Sequence, residues 1–328
     1  MPERAIGWRS FRAKHPPTGR LLRAATLAAI LGWFGLYSWR ASVGHASLMT
    51  NAFDLSVFDY ALWSLADGGT GFVPFMGESI FSQHFMPILA ILVPAYAIFP
   101  HPMTLMLVQL LSVGTAAILF RVFQSRHGVD EWTATGLVLV FLLSRRTHSA
   151  LAGWFYPEVL QAPLTFACVL LWKSRARFLW PFVVLLLMTK EDAAIYVAAF
   201  AGVAWVRRFG SRKRSMAVML VSSAWLAAAL LVAIPANRSR EGLGPGNPIL
   251  QARYGTTNGG LALLQPAERL ASWRSAKTVA NLLASAGFLS VAGGWWLLPA
   301  APGLAANLGA SPDSMQALLI GHYVWPLL

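Results

Sequence analysis

Long apolar runs alternate along this chain with short clusters of Lys and Arg. Several runs approach or reach the roughly 20 residues that an α-helix needs to cross a bilayer. Hydrophobic residues make up 56% of the 328 residues and charged residues only 12%, so a soluble domain of this composition could not cover its surface with polar groups. The pattern therefore predicts an all-α, polytopic transmembrane helix bundle.

The positive charge of the chain follows the same alternation. A formal net charge of +13 would suggest a nucleic-acid partner in a soluble protein. Here the basic residues lie between apolar runs, as in the cytoplasmic loops of membrane proteins. We therefore expect membrane lipids and no nucleic acid as partners, in the plasma or inner membrane, with a cytoplasmic N-terminus. The clusters are Arg4 to Arg23, Arg121 with Arg126, Lys173 to Arg177, and Arg207 to Arg214.

We divide the chain into a basic cytoplasmic tail, residues 1–20, and one polytopic membrane domain, residues 21–328. Three runs are long enough for full spans: 21–39, 103–120 and 215–235. Shorter runs are expected to cross in alternating directions, which the basic clusters set; they are 132–144, 157–172, 178–189 and 193–206. Short helices that meet at polar breaks predict a recess on the outer face of the bundle.

Two external loops are predicted. No Lys or Arg occurs from Ala41 to Phe120, which assigns 40–102 to the first loop. The apolar run 85–99 inside it is short and contains two prolines, so we interpret it as a juxtamembrane helix that does not cross. The polar stretch 236–280 is the second loop. The run 281–308 is broken by Gly and Pro, and the chain stops as another apolar stretch begins, so we expect a truncated C-terminus.

Ionisable residues near membrane spans are costly and are therefore candidate functional residues. Asp54 and Asp59 lie in the helix predicted directly after the first span. As a pair they could act as catalytic base or hold a divalent cation. The structural alternative is that Asp54 caps the helix and Asp59 is solvated.

The other candidates could bind substrate or phosphate. His84 begins the proline-broken element, where a hydrogen-bonded structural role is the alternative. Glu158 opens an inward span, where it could simply favour the helix dipole. Lys190, Glu191 and Asp192 lie between two short spans; a self-compensating ion pair is the alternative there. Two further candidates, His322 and Tyr323, lie in the last segment.

Six motifs, taken in order, resemble the bacterial and archaeal membrane proteins called domain of unknown function 2079. The likeness runs from about Phe53 to the end of the chain. The chain has Tyr156 where that family often has His, and it stops where the family continues. The motifs are FDLSVFDYALW, SQHFMPILAILVPAYAIFP, LVQLLSVGTAAILFRV, FYPEV, MTKEDAAIYVA, and GFLSV with the later HYVWPLL.

That family is in turn remotely similar to the C-type glycosyltransferases, which take a sugar from a polyprenyl-phosphate carrier outside the membrane. The resemblance implies a C-type glycosyltransferase-like fold with juxtamembrane helices in the first external loop. It also implies that Asp54 matches the acidic residue that follows the first span in those enzymes, with Asp59 as a partner. A polyprenyl-phosphate sugar is then the expected donor.

The sequence analysis leaves three functions open. The first is sugar transfer at the outer leaflet, with Asp54 as the base and Lys190 or a bound cation holding the phosphate. The second is a transporter or flippase of lipid-linked substrates, in which the same charges carry protons or bind the substrate. The third is a truncated member of the family without activity.

Overall fold

The architecture is a bundle of helices of very unequal length. The computed structural model describes residues 17–50, 52–151, 155–173, 176–244, 268–285 and 289–310. In its first part the helices are α1 (Pro17–Ala46), α2 (Ala52–Ala66), α3 (Ile80–Gln83), α4 (Ile88–Ile98), α5 (Pro102–Arg126), α6 (Glu131–Leu143) and α7 (Arg145–Ala150). They confirm the mostly helical class that the sequence predicts.

The second part begins with a 3₁₀ turn at Pro157–Leu160 that leads directly into a helix. Its helices are α8 (Gln161–Leu171), α9 (Ala176–Thr189), α10 (Ala193–Val206), α11 (Arg212–Ala228), α12 (Ile234–Arg240), α13 (Trp273–Ser285) and α14 (Ala301–Leu308). A second 3₁₀ segment covers Leu289–Ala300. A hairpin that the sequence analysis did not predict pairs β1 (Phe72–Val73) with β2 (Glu78–Ser79), with Phe72 opposite Ser79.

Among the described residues, three helical stretches are long and apolar enough to cross a membrane: Thr18–Ala46, Pro102–Arg126 and Arg212–Arg240. They contain the three runs expected to be full spans. The third extends into the predicted loop 236–280, because a π-helical turn at Ala229–Ala233 joins α11 to α12. In a regular α-helix, the ring of Pro235 would clash with the preceding turn. The π-helical turn lies at that place, and its hydrogen bonding is looser than that of an α-helix.

Helix α4 corresponds to the apolar run 85–99, which contains two prolines and is not expected to cross the membrane. Its 11 residues rise about 16 Å, roughly half the thickness of the hydrocarbon core. Pro94 lies inside the helix. The length of α4 therefore agrees with a juxtamembrane helix.

One end of the bundle carries the arginines of α1 and α5, and we call it the basic end. Arg23 Nη2 lies 2.7 Å from Glu131 Oε1, and Arg121 also pairs with Glu131. Arg126 donates a hydrogen bond to the Leu170 carbonyl (3.3 Å). The start of α1, the end of α5, the start of α6 and the end of α8 therefore lie at the same end of the bundle.

Antiparallel packing places the other ends of these helices together. His45 in the last turn of α1 contacts His101, which precedes α5, at 5.4 Å between ring centroids. Two buried apolar clusters fill the interior. The first is built mainly by α1, α2, α4, α5 and α6, and the second by α8, α9, α10 and α11.

Gly210 makes the turn between α10 and α11. Its φ of +89° is in the left-handed region, and a Cβ there would lie 3.1 Å from the Trp172 ring. We expect Gly210→Ala to lower the free energy of unfolding by about 1–3 kcal/mol. The measurement is denaturant unfolding in mixed micelles. Gly136→Ala is the control, because Gly136 is helical with open space around it. Equal stability of the two variants would contradict the strain at Gly210.

Candidate functional site

Charged residues from three segments meet at the end of the bundle opposite the basic end, and we call this the polar end. Glu158 belongs to the 3₁₀ turn before α8. Lys190, Glu191 and Asp192 form the turn between α9 and α10. His84 directly follows α3. The structure thus brings together five of the predicted site residues, which come from three separate parts of the sequence.

Lys190 and Glu158 form a buried ion pair. Their Nζ and Oε1 atoms are 2.6 Å apart, and the side chains are only 4% and 2% exposed. The nearest Asp192 oxygen lies 3.9 Å from Nζ. Removing two charges from water costs several kcal/mol for each ion, so buried pairs contribute little to stability. Because burial makes this pair costly, we interpret it as a functional feature.

Glu191 fixes the segment that follows α3. Its Oε1 lies 2.7 Å from His84 Nδ1, and its Oε2 accepts a hydrogen bond from the Phe85 N–H (2.9 Å). An ionised carboxylate only accepts hydrogen bonds, so Nδ1 of His84 carries the proton. Burial opposes the ionisation of Glu191, but the contacts with His84 and the charge of Lys190 hold its pKa below the ordinary value. Glu191 is therefore an anion that orients the His84 ring.

Asp192 differs from Glu191 in its ionisation. Burial raises the pKa of Asp192 above its ordinary value, and the neighbouring carboxylates of Glu191 and Glu158 raise it further, against the charge of Lys190. The side chain is still 38% exposed. Asp192 can therefore exchange a proton with the surroundings more readily than an ordinary surface carboxylate near neutral pH.

The two predicted catalytic aspartates do not form a pair. They occupy positions i and i+5 of α2, which differ by about 140° around a helix. Asp59 accepts a hydrogen bond from the Tyr96 hydroxyl (2.7 Å), and burial raises its pKa even though that bond opposes the shift. In the described part of the chain, no group of three or more His, Cys, Asp or Glu side chains could hold a metal ion.

Asp54 lies on a different face of α2 from Asp59. It lies one helical turn before Phe58 and shares its face of α2. The Phe58 ring packs on Phe155 and Tyr156, with centroids 5.6 and 5.7 Å apart. Tyr156 immediately precedes the turn that carries Glu158. Asp54 therefore lies on the face of α2 that packs against the segment leading to Glu158.

Three further charged residues at this end were not among the predicted site residues: Glu78, Arg238 and Glu241. Glu241 accepts hydrogen bonds from the Ser79 N–H (2.9 Å) and the Ser82 hydroxyl (2.7 Å). Arg238 Nη1 lies 3.3 Å from Glu78 Oε2. These contacts tie the end of α12 to α3, which leads to His84. These residues were missed because they lie in the two regions that the sequence analysis assigned to external loops. The signal that could have revealed Arg238 and Glu241 is a helix that continues beyond the apolar run 215–235.

The predicted candidates His322 and Tyr323 lie outside the residues that the structure describes. Their proposed part in binding the substrate stays a prediction.

We expect Lys190→Met to destabilise the protein by about 3–5 kcal/mol, because it leaves the Glu158 carboxylate buried without its cation. The double variant Glu158→Gln/Lys190→Met should lose less than the sum of the single variants. The measurement is unfolding in mixed micelles. Lys213→Met, at an exposed lysine, is the control and should change stability by no more than about 0.5 kcal/mol. Additive losses would contradict a direct pair.

The comparisons with known proteins agree with the membrane character of the chain. No curated protein sequence matches it, and no solved structure matches it. The comparisons carry no information on a similarity to the C-type glycosyltransferases. One family model, described as predicted membrane protein (DUF2079), matches residues 44–328. The chain therefore belongs to that family, as the order of its motifs predicts.

Proposed function

We propose that the chain is a multi-pass membrane glycosyltransferase that moves a sugar from a polyprenyl-phosphate carrier to an acceptor. In this proposal the N-terminus is cytoplasmic and the polar end faces the outer leaflet. The observation that carries the proposal is the convergence of Glu158, Lys190, Glu191 and His84 at one end of the bundle. Membrane proteins retain such buried charges where substrates or protons are handled.

The proposed reaction needs three groups. Asp54 takes the proton from the acceptor hydroxyl, whose oxygen forms a bond to the anomeric carbon of the sugar. The bond between that carbon and the phosphate oxygen breaks, and the electron pair leaves with the phosphate. Lys190 is the cation of the cluster that offsets the charge of the leaving phosphate. The third group is the His84 ring, which is oriented by Glu191 and binds the phosphate.

The surface beside Asp54 supports a lipid-linked substrate. Phe53, Tyr60 and Phe75 form an exposed aromatic patch, with centroid distances to Phe75 of 5.6 and 5.8 Å. Trp63 on the same helix is 54% exposed. Aromatic side chains of this kind are enriched where a bilayer meets water. We infer that the patch lies at the membrane surface and holds the apolar part of the donor near Asp54.

A transporter of lipid-linked substrates is the second candidate. It is favoured by the excess of carboxylates over cations in the cluster and by the raised pKa of Asp192. A carboxylate that exchanges protons within a bundle of membrane helices suits proton-coupled movement of a substrate. In that case the protein would move the donor without breaking its phosphate bond.

The proposed orientation predicts how two engineered cysteines react. In a Cys168→Ala background, Thr70→Cys and Ser211→Cys introduce thiols at exposed positions of the first loop and of the basic end. A membrane-impermeant maleimide should label Thr70→Cys in intact cells, and Ser211→Cys only after the membrane is permeabilised. The reverse pattern would overturn the orientation and, with it, the outer-leaflet site.

The reaction is tested by transfer of radiolabelled sugar from polyprenyl phosphate in membranes that contain the full chain. Asp54→Asn should lower the rate by about 100-fold or more, the usual contribution of a general base. Asp67→Asn is the matched control, because Asp67 is exposed in the turn after α2. Equal rates for the two variants would exclude Asp54 as the base. Substrate movement without transfer would favour the transporter.

A further inference from the structure

A large cavity begins beneath the charged cluster and extends away from it. Its volume is about 630 Å³, and its walls come from α5, α6, α8, α9, α10 and the 3₁₀ segment Leu289–Ala300. The lining is mainly apolar and aromatic, and it includes Phe166, Val169, Trp172, Phe200 and Leu297. Apolar cavities of this kind exclude water. If this cavity held no ligand, the side chains that line it would lack packing partners on one side.

The two ends of the cavity differ in exposure. At the end toward the ion pair, Gln161 and Ala193 are buried, with 3% and 1% exposed. At the other end, Lys173 and His127 line the cavity and are exposed. Helix α8 runs between these ends and rises about 15 Å. The cavity is therefore a slot along α8 that runs from buried residues beneath the charged cluster, past the exposed Thr165, to exposed residues at the basic end, where we place its mouth.

Specific contacts build the mouth of this slot. The Trp172 indole N–H donates a hydrogen bond to the Phe209 carbonyl (2.7 Å). Lys173 Nζ lies 4.4 Å from the centroid of the Phe209 ring. Arg126, which binds the Leu170 carbonyl, adds a second cation beside the mouth. An apolar slot thus ends at a pair of basic side chains.

We propose that this slot binds an acyl chain of an anionic phospholipid from the leaflet at the basic end. The acyl chain fills the apolar walls, and the head-group phosphate lies at Lys173. Basic pockets between membrane helices recognise acidic head groups in this way. The proposal is independent of the sugar-transfer site, because it uses none of the residues at the polar end.

The test uses the full-length protein, delipidated in a non-ionic detergent and titrated with phosphatidylglycerol or phosphatidylcholine. Bound lipid is counted by native mass spectrometry. Phosphatidylglycerol should bind more tightly, and Lys173→Gln should weaken its binding about fivefold, the effect expected of one basic residue near the head group. Lys213→Gln, at an exposed lysine outside the cavity lining, should bind as the unchanged protein does. Equal affinity for the two lipids, or no effect of Lys173→Gln, would overturn the proposal.

A second measurement tests the acyl chain. Cys168 is the single cysteine of the chain and lines the cavity, so bound phosphatidylglycerol should slow its reaction with an apolar maleimide. Inorganic phosphate should not slow it, because it lacks a chain to fill the slot. Val169→Trp should reduce binding of both lipids while the helical circular dichroism is kept. Unchanged labelling with bound lipid, or protection by phosphate alone, would show that the chain does not occupy the slot.

Discussion

The buried pair of Lys190 and Glu158 connects the turn between α9 and α10 to the turn that begins α8. A charge buried in an apolar bundle must be matched by a nearby opposite charge, or the surrounding helices separate and admit water. The positions of the two turns are therefore coupled. Glu191 extends the coupling to His84 and the first loop, so the polar end is one connected unit.

The opposite end of the bundle uses charge differently. Glu131 joins Arg23 of α1 to Arg121 of α5, and these side chains are more exposed than the Lys190–Glu158 pair. Exposed pairs have small effects on stability, but they fix which helix ends lie together. The basic end thus has the character of a membrane–water boundary, whereas the polar end keeps the Lys190–Glu158 pair away from water.

Hydropathy and charge were sufficient to predict the helical class, the three helices long enough to cross a membrane and the approximate limits of the short helices, because each depends on local composition. The charged cluster was predicted only as separate residues, since pairing Lys190 with Glu158 requires the tertiary fold. The pairing of Asp54 with Asp59 was expected from their proximity in sequence. The helix separates their faces, and Tyr96 binds Asp59. The positions of Arg238 and Glu241 depend on a helix that continues through the π-helical turn, whereas the sequence analysis ended the span at residue 235.

Helix α8 has a different neighbour at each end. The turn that leads into it carries Glu158, while the residues that follow it, Trp172 and Lys173, border the mouth of the slot. A helix is stiff along its axis, so an acyl chain that wedges against α8 and displaces it would displace Glu158 as well. The binding of lipid at the basic end would then be coupled, through α8, to the position of Glu158 at the polar end.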